Sequence, residues 1–332
     1  MKTAVVGAGA WGTALSTVLY KNGHDTTLWC HREQRAREIR ETGINPRLDG
    51  VKLPEGLQIT SDPTCVRGCK LVVIASPSSP IRSVCQTVAP YLDEDAVMVS
   101  ITKGIEPGTL LRMSQVVSQE CHRPVVALSG PCHAEEVAIG SPTGCLAACS
   151  DRALAELVQD AFISETFRVY TSPDAVGAEL GGALKNVIAL CAGVLDGMGC
   201  GDNTKAMLMT RGLTEIARLG VSMGAQKDTL AGLAGIGDLI VTCTSMHSRN
   251  RRAGILIGQG KTPEQAMEQV GAVVEGYYAA RSAYDLGRKQ NIDMPIVNAA
   301  YRVLYEIVDH RKLIQDLLMR QRKPDSEDAG WN

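Results

Sequence analysis

A glycine-rich hexapeptide near the start of the chain has the composition of a phosphate-binding turn. Gly7-Ala8-Gly9-Ala10-Trp11-Gly12 matches G-x-G-x-x-G, directly after a predicted strand at 2–6 and before a predicted helix at 11–21. The first glycine permits a tight turn, the second lets backbone approach a pyrophosphate, and the third lets the helix pack closely. The helix N-terminus offers amide groups to the anion. The motif predicts a dinucleotide site, and a turn without a ligand is the alternative.

The residues that follow the second predicted strand bear on which dinucleotide is bound. An acidic side chain here would bind the ribose hydroxyls of NAD, whereas a basic one would accept the extra phosphate of NADP. The chain has His31 and Arg32 at this point, which favours NADP and leaves NAD open. The alternative is a solvated helix, because Glu33/Arg37 and Arg37/Glu41 are spaced i,i+4 for surface ion pairs.

Two further polar segments directly follow predicted strands. Lys103 comes after the run 96–102, and the turn Ser129-Gly130-Pro131 comes after the run 124–128. In open α/β sheets, ligands collect beyond the carboxyl ends of the strands. Lys103 and Gly130 are therefore candidates for substrate contact, although a lysine in a glycine-containing turn is otherwise an ordinary surface residue.

Lys185 lies within a helical pattern whose apolar residues form one buried stripe. These are Leu180, Leu184, Val187, Ile188 and Cys191. A lysine there either extends its amine outward from the edge of the stripe or points into a cleft, where desolvation would lower its pKa. Gly181-Gly182 favours the cleft, because glycines inside a helix are costly and indicate close approach of another backbone or a ligand.

Asp238 and the segment Ser248-Arg249-Asn250-Arg251-Arg252 are the last candidates for a site. Asp238 follows Gly235-Ile236-Gly237 and precedes an apolar run, so a helix N-cap is the alternative to a site role. The arginine-rich segment is predicted to begin a helix with Ser248 as its cap. Cations are unfavourable at that end of a helix dipole unless an anion is bound, so the segment predicts a phosphate site. Polyanion binding is the weaker alternative.

The first half of the chain has the pattern of an α/β framework that would position these residues. Strands are predicted at 2–6, 25–29, 71–76, 96–102, 124–128, 143–148 and 167–170, alternating with helices at 11–21, 81–92, 108–120 and 152–163. This alternation is typical of a parallel, doubly wound sheet. After Pro173, helices are predicted at 174–198, 205–223, 263–270, 274–289 and 296–318, with an ambiguous strand at 239–243. We predict a Rossmann-type α/β domain at 1–172, an all-α domain at 173–320 and a polar tail at 321–332.

Length and composition agree with two globular domains and exclude several classes of partner. The 332 residues exceed the usual size of one core. A net charge of −2 and only 4% aromatic residues argue against nucleic-acid binding. The eleven cysteines lack zinc-site spacing, so we expect free thiols in a reducing cytosol and no metal. Apolar runs are too short for a membrane span, and glycines interrupt the first one, so we expect a cytoplasmic protein without a targeting segment.

Nearly the whole chain resembles the bacterial type of NAD(P)-dependent sn-glycerol-3-phosphate dehydrogenase. The resemblance is carried, in order, by GAGAWGTAL, TKGIEPG, SGPCHAEEVA, FRVYTSPD, ELGGALKNVIALCAG, GLAGIGDLIVTCTS, SRNRR and VVEGYYAA. It implies reversible reduction of dihydroxyacetone phosphate to sn-glycerol 3-phosphate with NADPH or NADH, a step between carbohydrate metabolism and glycerophospholipid synthesis. It leaves a homodimer open.

The resemblance also implies roles for individual residues. Lys185 would be the proton donor and acceptor at the C2 oxygen, with Lys103 and Asp238 as the other catalytic residues. Substrate contacts would come from Lys103, Gly130, Cys132, Lys185, Asp238, Ser248, Arg249 and Asn250. Cofactor contacts would come from Gly7, Gly9, Ala10, Trp11, Gly12, His31, Arg32, Lys103, Ala134, Arg249, Val273 and Glu275.

Two positions depart from the pattern of that family, and two other functions stay open. The family usually has Ser or Thr where this chain has Cys132, and an aromatic residue where it has Cys200. A thiol is a weaker hydrogen-bond donor than a hydroxyl, which puts that substrate contact in doubt. The alternatives are another dehydrogenase with a helical second domain, such as one for hydroxyisobutyrate or 6-phosphogluconate, and a catalytically silent NADP sensor regulated through its cysteines.

Overall fold

A single twisted sheet occupies the first half of the computed structural model, which describes residues 1–48 and 50–322. Its strands are β1 (Lys2–Val6), β2 (Asp25–Trp29), β3 (Gln58–Thr60), β4 (Leu71–Ile74), β5 (Val97–Ser100), β6 (Val125–Ser129), β7 (Thr143–Ala148) and β8 (Phe167–Ser172). Their spatial order is β3-β2-β1-β4-β5-β6-β7-β8. The order reverses direction between β1 and β4, and this crossover point is where doubly wound sheets bind their ligands.

The sheet is parallel except for one pair of strands. Strand β7 runs antiparallel to β6, with Ala127 opposite Ala148, and then pairs with β8 in parallel. The predicted parallel, doubly wound sheet is confirmed, with this pair as its one antiparallel exception. The carboxyl ends of β1, β4, β5 and β6 still lie at one edge of the sheet, because these four strands are parallel.

Helices cover both faces of the sheet, because alternate residues of each buried strand point to opposite sides. Val5, Val73 and Val99 face a core shared with α1 (Ala10–Lys21), α5 (Ala134–Ala138) and α6 (Arg152–Phe162). Ala4, Val72 and Met98 face a second core shared with α3 (Ile81–Val88) and α4 (Met113–Cys121). Helix α2 (Glu33–Thr42) follows β2 and is mostly polar, and only its residues Ala36 and Ile39 are buried.

The second half is helical and is organised around one buried helix. The helices are α7 (Ala175–Gly197), α8 (Asp202–Ser222), α9 (Lys227–Ala231), α10 (Asp238–Thr244), α11 (Arg249–Gly258), α12 (Pro263–Val270), α13 (Glu275–Gln290), α14 (Pro295–Tyr305) and α15 (His310–Leu318). Helices α7 and α11 touch through glycines: a Cβ at Gly193 would lie 2.1 Å from the Arg251 carbonyl oxygen. Helix α7 has the length and apolarity of a membrane span, but 94% of that stretch is buried inside the protein.

Several predicted elements differ from those in the structure. The ambiguous strand at 239–243 is helical in α10, and its buried residues Leu239, Thr242 and Cys243 follow helical spacing. The single helix predicted at 296–318 is two helices, since Ile307 adopts φ +53° and Asp309 caps α15. The helix predicted at 108–120 begins only at Met113, and the one predicted at 81–92 ends at Val88. Strand β3 was not predicted, and the tail at 323–332 lies outside the described residues.

Candidate active site

The glycine-rich turn connects β1 to α1 at the carboxyl edge of the sheet. Gly7 has φ +127°, and a Cβ there would lie 2.5 Å from the Ala75 carbonyl oxygen. A Cβ on Gly12 would lie 2.1 Å from the Gly7 carbonyl oxygen, so the third glycine allows α1 to pack against the turn. No atom lies within 4 Å of a Cβ built on Gly9, which leaves the backbone there open to a ligand. Each glycine thus has a different physical reason for being glycine.

The start of α1 is held in place by an asparagine that the sequence motif does not include. Asn45 is fully buried, and its Nδ2 donates to the Ala8 carbonyl oxygen at 3.0 Å and to Thr13 Oγ1 at 2.7 Å. The cap residue Gly9 supplies no side-chain acceptor to the first amides of α1. The turn is therefore rigid while its backbone donors remain available to an anion.

The residues after β2 lie at the surface. His31 and Arg32 are exposed, and Arg32 is the extended residue that precedes α2. The predicted solvated helix is present, but its ion pairs differ from those expected: Arg40 Nη2 lies 2.6 Å from Glu33 Oε1, and Arg35 pairs with Glu38. These ion pairs lie within α2, whereas Arg32 precedes the helix, close to the carboxyl end of β2.

Two lysines converge on one buried carboxylate where the sheet meets the helical half. Lys185 on α7 places Nζ 2.6 Å from Asp238 Oδ1, and Lys103 in the loop after β5 places Nζ 2.7 Å from Asp238 Oδ2. Asp238 is 1% exposed and is the first residue of α10, preceded by a π-helical turn at Leu233–Gly237. Its carboxylate binds the lysines and caps no helix, so the N-cap alternative is wrong.

Burial and charge give these three groups distinct ionisation behaviour. Burial, together with the neighbouring Lys103 charge, lowers the pKa of Lys185 to about 8 even though Asp238 opposes the shift. Burial also disfavours the charge on Lys103, but Asp238 together with Cys132 and Cys145 outweighs it and raises the pKa of Lys103. Burial disfavours the Asp238 carboxylate in the same way, but the two ammonium groups hold the pKa of Asp238 below its usual value. Lys185 is thus the group that titrates nearest neutral pH.

Further hydrogen bonds fix the positions of both ammonium groups. Lys185 Nζ also contacts Thr242 Oγ1, which lies one turn beyond Asp238 and donates to the Asp238 carbonyl oxygen at 2.6 Å. Lys103 Nζ donates to the Gly130 carbonyl oxygen at 2.9 Å and lies 3.8 Å from Cys132 Sγ. The loops after β5 and β6 and helices α7 and α10 therefore meet at one site.

The glycine pair in α7 allows this close approach. A Cβ on Gly181 would lie 2.5 Å from the Ala234 carbonyl oxygen, in the turn before α10. A Cβ on Gly182 would lie 2.7 Å from Ser129 Oγ at the end of β6. The prediction from Gly181-Gly182 is confirmed in its backbone form, because Gly181 faces backbone of another segment.

The arginine-rich segment has one of its three guanidinium groups engaged by an ion pair. Ser248 caps α11 by accepting from the Arg251 backbone amide at 3.2 Å, as predicted. Arg251 turns away from the site, because its Nε lies 2.7 Å from Asp196 Oδ2. Arg249 is exposed and carries an electrostatic interaction with Glu275. Arg252 is exposed as well, so Arg249 and Arg252 keep their guanidinium groups at the surface while Arg251 is engaged by Asp196.

Asn250 and Glu275 serve the framework as well as the cleft. Asn250 is buried; its Nδ2 donates to Asn186 Oδ1 at 2.8 Å, and its Oδ1 accepts from the Gly276 backbone amide at 2.8 Å. Glu275 accepts from the Ser78 backbone amide and hydroxyl, at 3.1 and 2.5 Å. The first set joins α7, α11 and α13, and the second joins α13 to the loop after β4, so both halves of the protein are tied together beside the site.

The remaining predicted residues differ in exposure. Gly130 has φ +155° and is buried, and its ideal Cβ would lie 3.0 Å from the Cys145 Cα. Ala134 is the first residue of α5 and is buried, whereas Val273 is 38% exposed in the loop before α13. Among residues 1–48 and 50–322, no group of three or more His, Cys, Asp or Glu side chains is placed to hold a metal ion.

Some residues of the site were not singled out in the sequence. Thr242 contacts Lys185 but lies in the run at 239–243, whose ambiguous assignment hid its i+4 relation to Asp238. Asn186 adjoins Lys185 in α7 and binds Asn250, and Ser78 follows β4 by the rule that placed Lys103 after β5. That rule, applied to every strand end, could have found Ser78.

Comparisons with known proteins match both halves of the chain to one family. The model for the NAD-dependent glycerol-3-phosphate dehydrogenase N-terminus matches residues 2–155, and the model for its C-terminus matches residues 174–315. A glycerol-3-phosphate dehydrogenase [NAD(P)+] of Moorella thermoacetica is 49% identical over 330 residues, covering 99% of this chain and 98% of that protein. One from Pelotomaculum thermopropionicum is 50% identical over 334 residues, covering 99% of this chain and 96% of that protein.

The fold is also similar to that of a solved dehydrogenase. The crystal structure of glycerol-3-phosphate dehydrogenase from Coxiella burnetii superposes with a TM-score of 0.92 at 35% identity. The superposition covers 96% of this chain and 99% of that one. The sheet and the helical half therefore share an arrangement with that enzyme, not only a common nucleotide-binding motif.

Proposed function

Because this chain belongs to the family of NAD-dependent glycerol-3-phosphate dehydrogenases, we propose that it interconverts dihydroxyacetone phosphate and sn-glycerol 3-phosphate with NADPH or NADH. The observation that carries the proposal is the buried Asp238 carboxylate, which holds Lys185 and Lys103 at 2.6 and 2.7 Å. This group lies at the same edge of the sheet as the glycine-rich turn. A ketone bound there would meet two cations and one proton donor.

The residues at the glycine-rich turn fit a dinucleotide. The open backbone at Gly9 can admit a pyrophosphate, and Trp11 Nε1 is a buried donor without a partner among the described residues. We assign the pyrophosphate end to Gly7, Gly9, Ala10, Trp11 and Gly12, and the adenosine end to His31 and Arg32. The remaining contacts are assigned to Lys103, Ala134, Arg249, Val273 and Glu275. When bound, the nicotinamide supplies or accepts the hydride.

Lys185 moves the proton in the proposed reaction. Negative charge develops on the C2 oxygen as the ketone is reduced, and the Lys185 ammonium stabilises that charge and donates the proton. Lys103 stays protonated, since its pKa is raised by Asp238, and so supplies positive charge without exchanging a proton. Asp238 orients both amines, and Thr242 fixes the direction of Lys185 Nζ. In the reverse reaction, neutral Lys185 removes the hydroxyl proton.

The substrate phosphate is assigned to the start of α11. Arg249 supplies the charge, and Ser248 retains a hydroxyl proton to donate while its oxygen caps the helix. Asn250 has one Nδ2 hydrogen left after its bond to Asn186. Cys132 contributes less than a hydroxyl would, because its thiol already donates to the Gly130 carbonyl oxygen at 3.0 Å. Gly130 shapes the same wall of the pocket.

The proposal extends to cofactor preference, compartment and assembly. Arg32 and His31 favour NADPH over NADH. All eleven cysteines are free thiols, which suits the reducing cytoplasm. A homodimer is the expected assembly, and light scattering of the purified protein tests it with a mass twice that of the chain.

One spectrophotometric assay tests the proposed reaction. Purified protein is mixed with NADPH or NADH, and the loss of nicotinamide absorbance is followed after dihydroxyacetone phosphate is added. The proposal predicts oxidation with both cofactors, faster with NADPH, and no oxidation with the unphosphorylated ketone dihydroxyacetone. Tight cofactor binding without oxidation would instead indicate a silent sensor. NADP+-dependent oxidation of 6-phosphogluconate or a similar substrate, without activity on glycerol 3-phosphate, would indicate another dehydrogenase.

A further inference from the structure

A thiol stands at the wall of the lysine site where a hydroxyl was expected. Cys132 is half-buried, and its Sγ lies 3.8 Å from Lys103 Nζ and 3.0 Å from the Gly130 carbonyl oxygen. The positive charge of Lys185 also contributes to lowering the pKa of Cys132. A half-buried cysteine beside the Lys103 ammonium has the setting of a reactive thiol, in contrast to a fully buried structural one.

A second cysteine lies directly behind the first. The antiparallel register pairs Ser129 with Leu146, and the next pair along brings Gly130 opposite Cys145. A Cβ built on Gly130 would lie 3.0 Å from the Cys145 Cα and 3.6 Å from its Sγ. Cys145 is fully buried, and its thiol is a neighbour of Cys132 that affects the pKa of that residue. The antiparallel strand, which departs from the usual parallel sheet, is what places this second sulfur here.

The two thiols have opposite tendencies to ionise. The neighbouring Cys145 thiol, helped by the Lys103 charge, lowers the pKa of Cys132, although burial and Asp238 oppose the shift. The neighbouring Cys132 thiol and burial raise the pKa of Cys145. Elsewhere burial raises the pKa of Cys65 to about 12 and that of Cys69 to about 11. The pKa values of Cys85 and Cys121 are shifted in opposite directions in the same way. What distinguishes Cys132 is the ammonium of Lys103, 3.8 Å from its Sγ, which favours a thiolate there.

We propose that Cys132 is an oxidation site for hydrogen peroxide and that Cys145 resolves the product as a reversible disulfide. The Cys132 thiolate attacks one peroxide oxygen, the O–O bond breaks, and hydroxide leaves, so that sulfur is oxidised to sulfenic acid and peroxide is reduced. Cys145 then attacks the Cys132 sulfur and forms the S–S bond. The departing hydroxide takes up the Cys145 proton as water. The oxidised sulfur occupies the wall beside Lys103.

Oxidation of Cys132 does not depend on the dehydrogenase reaction proposed above. Only an effect of that oxidation on enzyme activity would rest on the proposed function. The test therefore reads the sulfurs directly. Purified protein is treated with peroxide, remaining thiols are alkylated, and the protein is digested with Glu-C protease, which cleaves at Glu135 and Glu136 between the two cysteines. The peptides are analysed by mass spectrometry before and after dithiothreitol. We expect a dithiothreitol-sensitive peptide pair joining Cys132 and Cys145. Glycerol 3-phosphate should slow its formation only if the substrate site is where we place it, which separates failure of the proposed function from failure of this inference.

Two variants keep the test sharp. In Cys145→Ala, Cys132 should pass beyond sulfenic acid to sulfinic acid, which dithiothreitol does not reverse. Cys85→Ala is the matched control, because Cys85 forms a comparable buried thiol pair with Cys121 on the opposite face of the sheet. It should leave the Cys132–Cys145 peptide pair unchanged. A free Cys132 thiol after peroxide treatment, or oxidation of Cys85 and Cys121 at an equal rate, would overturn the proposal.

Discussion

Asp238 Oδ1 lies 2.6 Å from Nζ of Lys185, in a position where the carboxylate is 1% exposed. The other oxygen of that carboxylate binds Lys103 at 2.7 Å. One negative charge therefore holds two positive ones in fixed positions and leaves the cluster with a net positive charge. A buried ion pair is weak evidence of stability, because desolvation offsets much of the attraction. The arrangement is better explained by the charge and proton that reduction of a phosphorylated ketone requires.

The pKa of Lys185, lowered to about 8 by burial, predicts opposite pH dependence in the two directions of the reaction. Ketone reduction needs the ammonium form, so kcat should fall about tenfold per pH unit above pH about 8. Alcohol oxidation needs the neutral amine, so kcat should fall by a similar factor below that pH. Measuring kcat in both directions over one pH series checks this. If kcat fell on the same side of the pH series in both directions, Lys185 would be excluded as the group that titrates.

Arg249 and Arg251 should differ in what their removal changes. Arg249→Ala removes the charge assigned to the substrate phosphate, so KM for dihydroxyacetone phosphate should rise roughly 10- to 100-fold. Arg251→Ala breaks the pair with Asp196, so it should lower the melting temperature and leave KM nearly unchanged. Steady-state kinetics and thermal unfolding of both variants make the comparison. An unchanged KM in Arg249→Ala would remove that residue from the phosphate site.

Arg32 should govern the choice between cofactors. Arg32→Ala should raise KM for NADPH about tenfold and leave KM for NADH within about twofold, because only NADPH carries the 2′-phosphate. Arg40→Ala is the control, since Arg40 lies in the last turn of α2 and binds Glu33 and the Ile59 carbonyl oxygen. Parallel assays with the two cofactors provide the measurement. Equal effects on both cofactors would place Arg32 outside the phosphate pocket.

The buried Glu215 should make the stability of the protein depend on pH. Its two oxygens accept the backbone amides of Ile296 and Val297 at the start of α14, and burial raises the pKa of Glu215 to about 7. The folded protein then binds more protons than the unfolded chain between pH about 4.5 and about 7. The free energy of unfolding therefore falls as pH rises through that window, by at most roughly 1.4 kcal/mol per pH unit.

The variant Glu215→Gln cannot titrate and should lose this slope. Urea unfolding at several pH values in that window measures it, with the exposed Glu268→Gln as control. The glutamine retains one oxygen for two amides, so its stability should also be lower near pH about 5. A variant that keeps the full slope of the parent protein would show that another group titrates.

Sequence reasoning succeeded where the signal was local. The three roles of Gly7, Gly9 and Gly12 follow from a turn, an open backbone and a helix contact, and all are present in the structure. The alternation of strands and helices likewise predicted the sheet. Local patterns failed at 239–243 and at Ile307, where a short apolar run and a single left-handed residue decided the outcome.

Local sequence patterns could not predict which residues meet in the folded protein. Lys103, Lys185 and Asp238 lie on three separate segments, and neither composition nor spacing gives a distance between them. Only the resemblance to a family predicted that these three residues share one site. The ion pair of Arg251 could not be predicted for the same reason. Its partner Asp196 is 55 residues away in sequence, and no local rule pairs them.

Replacement of Lys185 tests the central assignment most directly. Lys185→Ala should reduce kcat for dihydroxyacetone phosphate reduction roughly 100- to 10,000-fold, the range expected for loss of a general acid. NADPH affinity, measured by fluorescence titration, should stay within about twofold, and the exposed control Lys289→Ala should behave like the parent protein. A Lys185→Ala variant that keeps most of its turnover number while binding NADPH normally would contradict the account.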